Sequence, residues 1–267
     1  MAEPSRKRGR PRSAKDNVGT VQVLDRALDM LDLLAANKGL TLSEVAEQME
    51  QSPSTVHRLL HSLAARGMVE SDPATQAWTI GPATFRLGSA FMRRSGIVER
   101  ARPILRGLME HTGETANLGI LNGDSVMFLS QVETQETIRA FFPPGTRSPL
   151  HASGIGKALL AFGAPEMRAT LLQGQGLTKF TDKTLTTAEM LDADIARTRA
   201  RGFSFDDEER TRGMRCIAAP VFDLSGAAVA GISVSGPSHR IGSEHIKTLG
   251  AAVSAAAQEL SQTLGAA

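Results

Sequence analysis

Two helix-start signals, only eleven residues apart, constrain how the first third of the chain can fold. Thr41-Leu42-Ser43-Glu44 has the pattern of a capping box, in which the Thr41 hydroxyl accepts a hydrogen bond from the Glu44 amide and the Glu44 carboxylate reaches back to the helix start. Ser52-Pro53 repeats the signal as an N-cap serine followed by a first-turn proline. The helix between the two signals must therefore be short, and another helix must begin directly after it.

Apolar residues at three- and four-residue spacing predict one helix before this short helix, beginning near residue 21, and one after it, from 53 to 66. Segments 68–71 and 77–80 are then predicted to be strands, joined by the turn sequence Asp72-Pro73-Ala74. Three helices followed by a hairpin are the parts of a winged helix-turn-helix, a DNA-binding motif. A purely structural bundle of three helices is the alternative.

The outer face of the third helix is short, polar and basic, whereas an ordinary solvated face more often carries Glu and Lys. In a winged helix-turn-helix this helix enters the major groove, where Arg58 would read guanine while Ser54 and Thr55 would contact phosphate. His57 and His61 are spaced like metal ligands, but no Glu-rich motif accompanies them, so no metal site is expected. The predicted DNA contacts on this helix are Ser52, Ser54, Thr55, His57, Arg58 and His61.

The positive charge of the chain is concentrated at its start. Residues 1–20 hold six cations against two acidic residues, a net charge of +4, whereas the remaining residues carry −2. This arm lacks apolar periodicity and is expected to be disordered when free. Within it, Arg8-Gly9-Arg10-Pro11-Arg12 resembles an AT-hook core, which would place Arg8, Arg10 and Arg12 in an A·T minor groove. An ordinary basic tail is the alternative, and both predict salt-sensitive DNA affinity.

Beyond Thr112-Gly113, strand-length apolar runs alternate with helical segments. The turn sequences Asn122-Gly123-Asp124 and Asp223-Leu224-Ser225-Gly226 favour antiparallel pairing of the strands that flank them. An α+β fold is therefore expected rather than a doubly wound parallel sheet. The predicted strands are 118–121, 126–131, 138–142, 216–222 and 229–234, and the predicted helices are 155–162, 165–172, 187–200 and 243–264.

Several classes of protein are disfavoured by composition. No apolar run approaches the ~20 residues that cross a bilayer, and the polar, basic start lacks the apolar core of a signal peptide. We expect a cytoplasmic protein with no membrane partner. The one cysteine, Cys216, can form neither an intramolecular disulfide nor a thiolate metal cage, so no metal and no cofactor are expected.

Motifs in both halves of the chain carry a family resemblance. Ser52-Pro53-Ser54-Thr55-Val56-His57-Arg58-Leu59-Leu60, with the wing after it, resembles the DNA-binding domain of the IclR family of bacterial regulators. The second half resembles the effector domain of the same family at four motifs in order: Leu150-His151-Ala152-Ser153-Gly154-Ile155-Gly156-Lys157-Ala158, Gly202-Phe203-Ser204-Phe205-Asp206-Asp207-Glu208-Glu209, Gly213-Met214-Arg215-Cys216-Ile217-Ala218-Ala219-Pro220 and Ile232-Ser233-Val234-Ser235-Gly236-Pro237.

This resemblance, which covers roughly residues 21–264, implies a GAF-like effector domain in which a curved antiparallel sheet holds a small, often carboxylate metabolite. It also implies a homodimer or a homotetramer. We therefore expect a transcriptional regulator rather than an enzyme, with double-stranded operator DNA as its partner. The expected domains are a disordered basic arm at 1–20, a winged helix-turn-helix at 21–82, a linker helix at 83–96 and an effector-binding domain at 97–267.

Within the family, the sequence is similar to members that bind glyoxylate or pyruvate, so glyoxylate is the expected effector and pyruvate the alternative. Ser153-Gly154-Ile155 suits a carboxylate because it opens a helix whose free amides can receive one. Ser233 and Ser235 share one face of a strand, and Met214 is expected to supply an apolar wall. The ligand contacts that the resemblance implies fall on Gly154, Ile155, Asp206, Cys216, Ser233 and Ser235.

Two other functions remain open at this point, and both use Cys216. A redox-sensing regulator would need Cys216 as an exposed thiolate of low pKa. A small-molecule hydrolase fused to a DNA-binding domain would need the fold to bring Cys216 beside a base such as His151.

Overall fold

The computed structural model describes residues 21–174 and 176–266, except for the side chains of 91–95. The chain divides into two compact units, with the boundary between Arg94 and Ser95. In the described part, no helix is both long and apolar enough to cross a membrane.

The first unit is the predicted winged helix-turn-helix. Both helix-start signals form as predicted: the Thr41 capping box is complete, and the Ser52 hydroxyl accepts the amide of Thr55. The wing strands pair antiparallel, and Leu40 adds a bridge to Trp78. Met30, Leu34, Val45, Val56 and Leu60 are the centre of its core. Its elements are α1 (Gln22–Ala35), α2 (Leu42–Gln48), α3 (Pro53–Ala64), β1 (Val69–Ser71), β2 (Trp78–Ile80) and α4 (Pro82–Ser95).

The second unit is built on one antiparallel sheet of six strands in the order β5-β4-β3-β8-β7-β6, so β5 and β6 are its two edges. Helix α6 packs on the sheet with α8 beside it, while α5 and α9 pack on each other and on the sheet. The elements are α5 (Ile97–Thr112), β3 (Thr115–Asn122), β4 (Ser125–Val132), β5 (Arg147–Pro149), α6 (Gly154–Phe162), α7 (Pro165–Gln173), α8 (Ala188–Arg201), β6 (Ser204–Asp207), β7 (Met214–Phe222), β8 (Ala228–Pro237) and α9 (Ile246–Thr263).

One predicted strand is wrong, and neither edge strand was predicted. Segment 138–142 is a loop, because Pro143 and Pro144 follow it without amide donors and the place beside β4 is taken by β5 instead. Phe142 still packs inward, with its ring stacked on Phe128 at 4.8 Å. Strands β5 and β6 are only three and four residues long, and their mixed polar and apolar residues carry no clear strand pattern.

Candidate functional site

The exposed face of α3 carries the residues that the sequence predicted for DNA contact. Val56, Leu59 and Leu60 are buried on the inner face of this helix. On the outer face, Ser52, Ser54, His57, Arg58 and His61 are exposed and Thr55 is half-buried. The helical period therefore separates the core side from the surface side as predicted.

Individual side chains on this face differ in how freely they can contact a ligand. The Ser52 hydroxyl caps the helix and lies 2.9 Å from Thr55 Oγ1, so it organises the helix start. The rings of His57 and His61 are 4.2 Å apart, and His61 meets Trp78 of the wing edge-on at 5.7 Å. Arg58 is exposed, and its guanidinium has no hydrogen-bond or ion-pair partner among the described residues. It is the cation of this face best placed to reach outward.

The wing contributes no positive charge to this surface. Between residues 69 and 80 the charged side chains are Glu70 and Asp72, and Asp72 is occupied in closing the turn through the amides of Ala74 and Thr75. The predicted minor-groove contacts Arg8, Arg10 and Arg12 lie outside the described residues. Arg58 is therefore the predicted contact with a permanent positive charge on the described part of this face.

A cavity of about 40 Å³ lies in the second unit, between the sheet and the start of α6. The structure brings together all seven residues that were predicted to contact an effector. They line this one cavity: Gly154, Ile155, Asp206, Met214, Cys216, Ser233 and Ser235.

Strand register explains why residues so far apart in sequence meet here. Asp206 of β6 lies opposite Cys216 of β7, and Cys216 lies opposite Ser235 of β8. Directly opposed residues of antiparallel strands point to the same face of a sheet. Ser233 is likewise opposite Asn117 of β3, so a second polar row runs beside the first.

Helix α6 begins in close contact with this polar face. Ser153 caps the helix by accepting the amide of Gly156 at 3.1 Å. A Cβ atom on Gly154 would lie 2.7 Å from Cys216 Sγ, so only glycine allows this approach of helix to strand. The first-turn amides of Gly154 and Ile155 have no acceptor inside the helix and give the cavity a positive rim.

Two residues that were not predicted from the sequence hold the serine hydroxyls in place through hydrogen bonds. Asn117 Nδ2 donates to Ser233 Oγ and to Ser235 Oγ, each at 3.3 Å, and Gln131 Nε2 donates to Asn117 Oδ1 at 2.9 Å. Each serine accepts from Asn117 and so keeps its own O–H as a donor on the cavity side, where the Cys216 sulfur is one acceptor for both hydroxyls. The available signal was an Asn within the apolar run of β3, because a fully buried Asn requires partners.

Asp206 lies close to a buried cluster of charged side chains. Lys157 is completely buried, with its Nζ 2.9 Å from Asp194 and 2.5 Å from Glu209, and it donates to the carbonyl of Phe205. Burial raises the pKa of Asp206 to about 6, and the Lys157 charge opposes this rise. Burial also raises the pKa of Glu209 to about 8, with Lys157 lowering it and the Asp206 charge raising it.

The environment of Cys216 argues against the two functions that would use its thiolate. Burial raises the pKa of the Cys216 thiol to about 11, and the neighbouring charge of Asp206 adds to the rise. A thiol of that pKa is protonated and weakly reactive at neutral pH. His151 lines a separate cavity with its Nε2 3.0 Å from the Thr178 carbonyl, so the two residues do not form a thiol–imidazole pair.

Comparison with known families agrees with both units. Residues 23–73 match the family model described as the IclR helix-turn-helix domain. Residues 89–262 match the model described as the C-terminal domain of the bacterial transcriptional regulator IclR.

Related proteins match over almost the whole chain. The HTH-type transcriptional regulator BhcR of Paracoccus denitrificans is 61% identical over 266 residues, which are 98% of this chain and 95% of BhcR. The transcriptional repressor IclR of Escherichia coli is 39% identical over 250 residues, 92% of this chain and 91% of the repressor. The crystal structure of Thermotoga maritima IclR has a TM-score of 0.76 at 28% identity and covers 92% of this chain and 100% of its own. The chain belongs to the IclR family of DNA-binding transcriptional regulators.

Proposed function

We propose that a small 2-oxoacid, glyoxylate first and pyruvate second, binds in the cavity and alters the affinity of this regulator for its operator. The observation that carries the proposal is one small cavity lined by helix-start amides, two supported serine hydroxyls and a buried aspartate. A ligand that prefers one conformation of the protein shifts the balance between conformations, and DNA affinity changes with it.

The size of the cavity favours a short acid. A buried water needs roughly 10–15 Å³ of such volume, so about 40 Å³ accommodates about three waters. A two- or three-carbon acid approaches that size, whereas a benzene ring with a carboxylate exceeds it. An aromatic acid would require Phe128 or Phe142, which also line the cavity, to move.

The polar groups suit the two ends of an oxoacid. The first-turn amides of Gly154 and Ile155 favour a carboxylate, because N–H donors without an acceptor inside the helix act there together with the positive end of the helix dipole. The O–H groups of Ser233 and Ser235 donate to the carbonyl oxygen. Asp206 accepts a hydrogen bond when the aldehyde is hydrated, and Met214 supplies an apolar wall.

For the DNA-binding unit, we propose that α3 occupies the major groove. Ser52, Ser54 and Thr55 at the helix start contact phosphate, while His57, Arg58 and His61 face base edges. The basic arm at 1–20 adds phosphate or minor-groove contacts to this set. The domain limits proposed for this function are 21–82 for the winged unit, 83–96 for the linker helix and 97–267 for the effector-binding domain.

We propose that the active form is a homodimer or a homotetramer. Apolar side chains on the outer face of α1 support a second copy as the partner of this helix. Val21, which directly precedes α1, and Leu24 and Leu28 within it follow helical spacing and are 64%, 56% and 51% exposed. A symmetric protein also suits an operator made of two half-sites.

Calorimetry on the full-length protein tests the effector. Glyoxylate and pyruvate should each give a binding isotherm, and Ser235→Ala and Asp206→Ala should each weaken it about 10- to 100-fold, because a lost hydrogen bond to a charged ligand costs roughly 1.5–3 kcal/mol. The exposed Ser243→Ala is the matched control and should bind like the unaltered protein. Heat with benzoate but none with either oxoacid would contradict the assignment, and DNA binding with and without ligand then tests the coupling.

A further inference from the structure

An arginine outside the predicted set of effector contacts lies on the wall of the cavity. Arg210 follows β6 and reaches across to β5, the opposite edge of the six-stranded sheet. Its Nη1 donates to the Arg147 carbonyl at 3.0 Å and also to Ser148 Oγ. One side chain therefore bridges the two edges of an open, curved sheet, and the bridge fixes the position of the guanidinium beside the cavity.

The charge of Arg210 lacks a counterion within the described residues. Arg215 also lines the cavity, but its Nε is 2.7 Å from Asp207. Arg210 is half-buried and forms no ion pair with a described residue. Burial lowers the pKa of its guanidinium, whereas the charge of Asp206, which it does not contact, raises that pKa. A cation that is partly removed from water without an anionic partner is unfavourable. An anion in the cavity would relieve this cost.

The geometry of the guanidinium matches a carboxylate. Arginine has five N–H donors in a planar fork, and β5 engages only those on Nη1. The edge formed by Nε and Nη2 has no acceptor among the described residues. This edge presents two parallel N–H donors, the arrangement that binds both oxygens of one carboxylate.

We infer that Arg210 binds the acid group of the effector through its Nε and Nη2 edge and so makes the cavity selective for anions over neutral compounds of the same shape. The inference rests on the proposed function, because it takes the cavity to be the effector site. The helix-start amides of α6 then share the carboxylate with the arginine, while the serine hydroxyls contact the other end of the ligand. Because β5 already orients the side chain, little conformational freedom is lost when the ligand binds.

Calorimetry on full-length variants with four probes tests this role: glyoxylate, pyruvate, benzoate and the neutral pyruvamide. Arg210→Gln should weaken the binding of glyoxylate and of pyruvate about 10- to 100-fold, because it removes the charged hydrogen bonds to the carboxylate. The affinity for pyruvamide should stay unchanged. Arg210→Lys keeps the charge without the planar edge and should give an intermediate loss. Arg212→Gln is the matched control, since Arg212 is exposed two residues away and pairs with Asp182; it should bind acids normally.

The outcomes separate this inference from the proposed function. If Arg210→Gln binds the acids as tightly as the unaltered protein does, the role of Arg210 is overturned and the oxoacid assignment stands. Arg210-dependent binding of benzoate, without binding of glyoxylate or pyruvate, would support Arg210 and overturn the oxoacid. Failure of the unaltered protein to bind any of the three acids would overturn both. Where Arg210→Gln does not fold, Arg210→Lys decides, and undiminished acid affinity in that variant would overturn the inference.

Discussion

Lys157 is completely buried, yet three carboxylates lie around its ammonium group. Asp194 and Glu209 contact it directly, and Asp206 is close enough to be influenced by its charge. Arg197 also pairs with Asp194 at 3.0 Å, so Lys157 is left as the cation nearest to both Glu209 and Asp206. One buried positive charge does not fully compensate two buried carboxylates, so the cluster favours keeping a proton on one of them. Glu209 is the best site, because burial raises the pKa of its carboxyl to about 8, whereas Lys157 and Arg197 lower the pKa of Asp194 in spite of its burial.

This cluster predicts a pH-dependent stability. Folding raises the pKa of Glu209 from its ordinary 4.5 to about 8, so the folded protein holds a proton that the unfolded chain has released between these values. The free energy of unfolding should therefore fall as pH rises across that interval. Glu209→Gln should flatten the fall, because a neutral amide cannot titrate. Urea unfolding at pH values of about 5.5, 7 and 8.5 measures the slope.

Glu166→Gln is the control for this prediction, since Glu166 is exposed at the start of α7. It should retain the slope of the unaltered protein. A Glu209→Gln variant with an undiminished slope would show that another group carries the proton.

Among the elements, the start of α6 is held unusually close to β7. Gly154→Ala would place a Cβ 2.7 Å from Cys216 Sγ and 3.2 Å from Ala218 Cβ, so the helix must shift away from the strand. Such overpacking typically costs about 1–3 kcal/mol, and here it would also distort the proposed effector cavity. Thermal and urea unfolding should show the loss of stability, and calorimetry should show weaker glyoxylate binding.

Gly107→Ala is a matched glycine substitution in another helix of the same unit. Gly107 lies inside α5, and a Cβ there would have no atom within 4 Å. It should raise stability by about 0.5–1 kcal/mol, because alanine is the better helix former. Equal stability of the two variants would mean that the close approach at Gly154 relaxes without cost.

A second prediction about a single element concerns helix α3 and its binding to the operator. Arg58→Ala should weaken operator binding by about 1–3 kcal/mol and lower the ratio of specific to non-specific affinity, since the exposed guanidinium is free to read a base. Arg66→Ala is the control, because Arg66 is also exposed but follows the end of the helix. Titrations with operator and random DNA measure the ratio. An unchanged ratio in Arg58→Ala would remove Arg58 from base recognition.

For the whole molecule, the distribution of charge predicts how DNA affinity depends on salt. Deleting residues 1–15 removes six cations, and each phosphate that the protein no longer neutralises should reduce the salt slope by about 0.9. The truncated protein should therefore bind more weakly at low salt and lose affinity more slowly as salt rises. Binding to one operator over a range of salt concentrations measures both slopes, and equal slopes would show that the arm does not touch the phosphates.

Local sequence determined most of the winged unit. The capping box at Thr41, the N-cap at Ser52 and the spacing of apolar residues act within a few residues of each other, so the starts and buried faces of α2 and α3 could be predicted without knowledge of the rest of the chain. In α1 the same spacing was less informative, because Leu24 and Leu28 are exposed. The family resemblance extended this to the second unit and identified six residues of the cavity, and Met214 was predicted separately as its apolar wall. Residues outside its motifs, such as Asn117 and Gln131, were missed because their role depends on what lies beside them.

Tertiary structure alone decided how the cavity is assembled. Asp206, Cys216 and Ser235 share one row of the sheet only because β6, β7 and β8 pair in a particular register. Short edge strands carry little pattern of their own, since their neighbours and not their residues determine whether they pair. The bridge from Arg210 to β5 exists for the same reason: curvature brings the two edges of the sheet together, and no local signal in the chain encodes that approach.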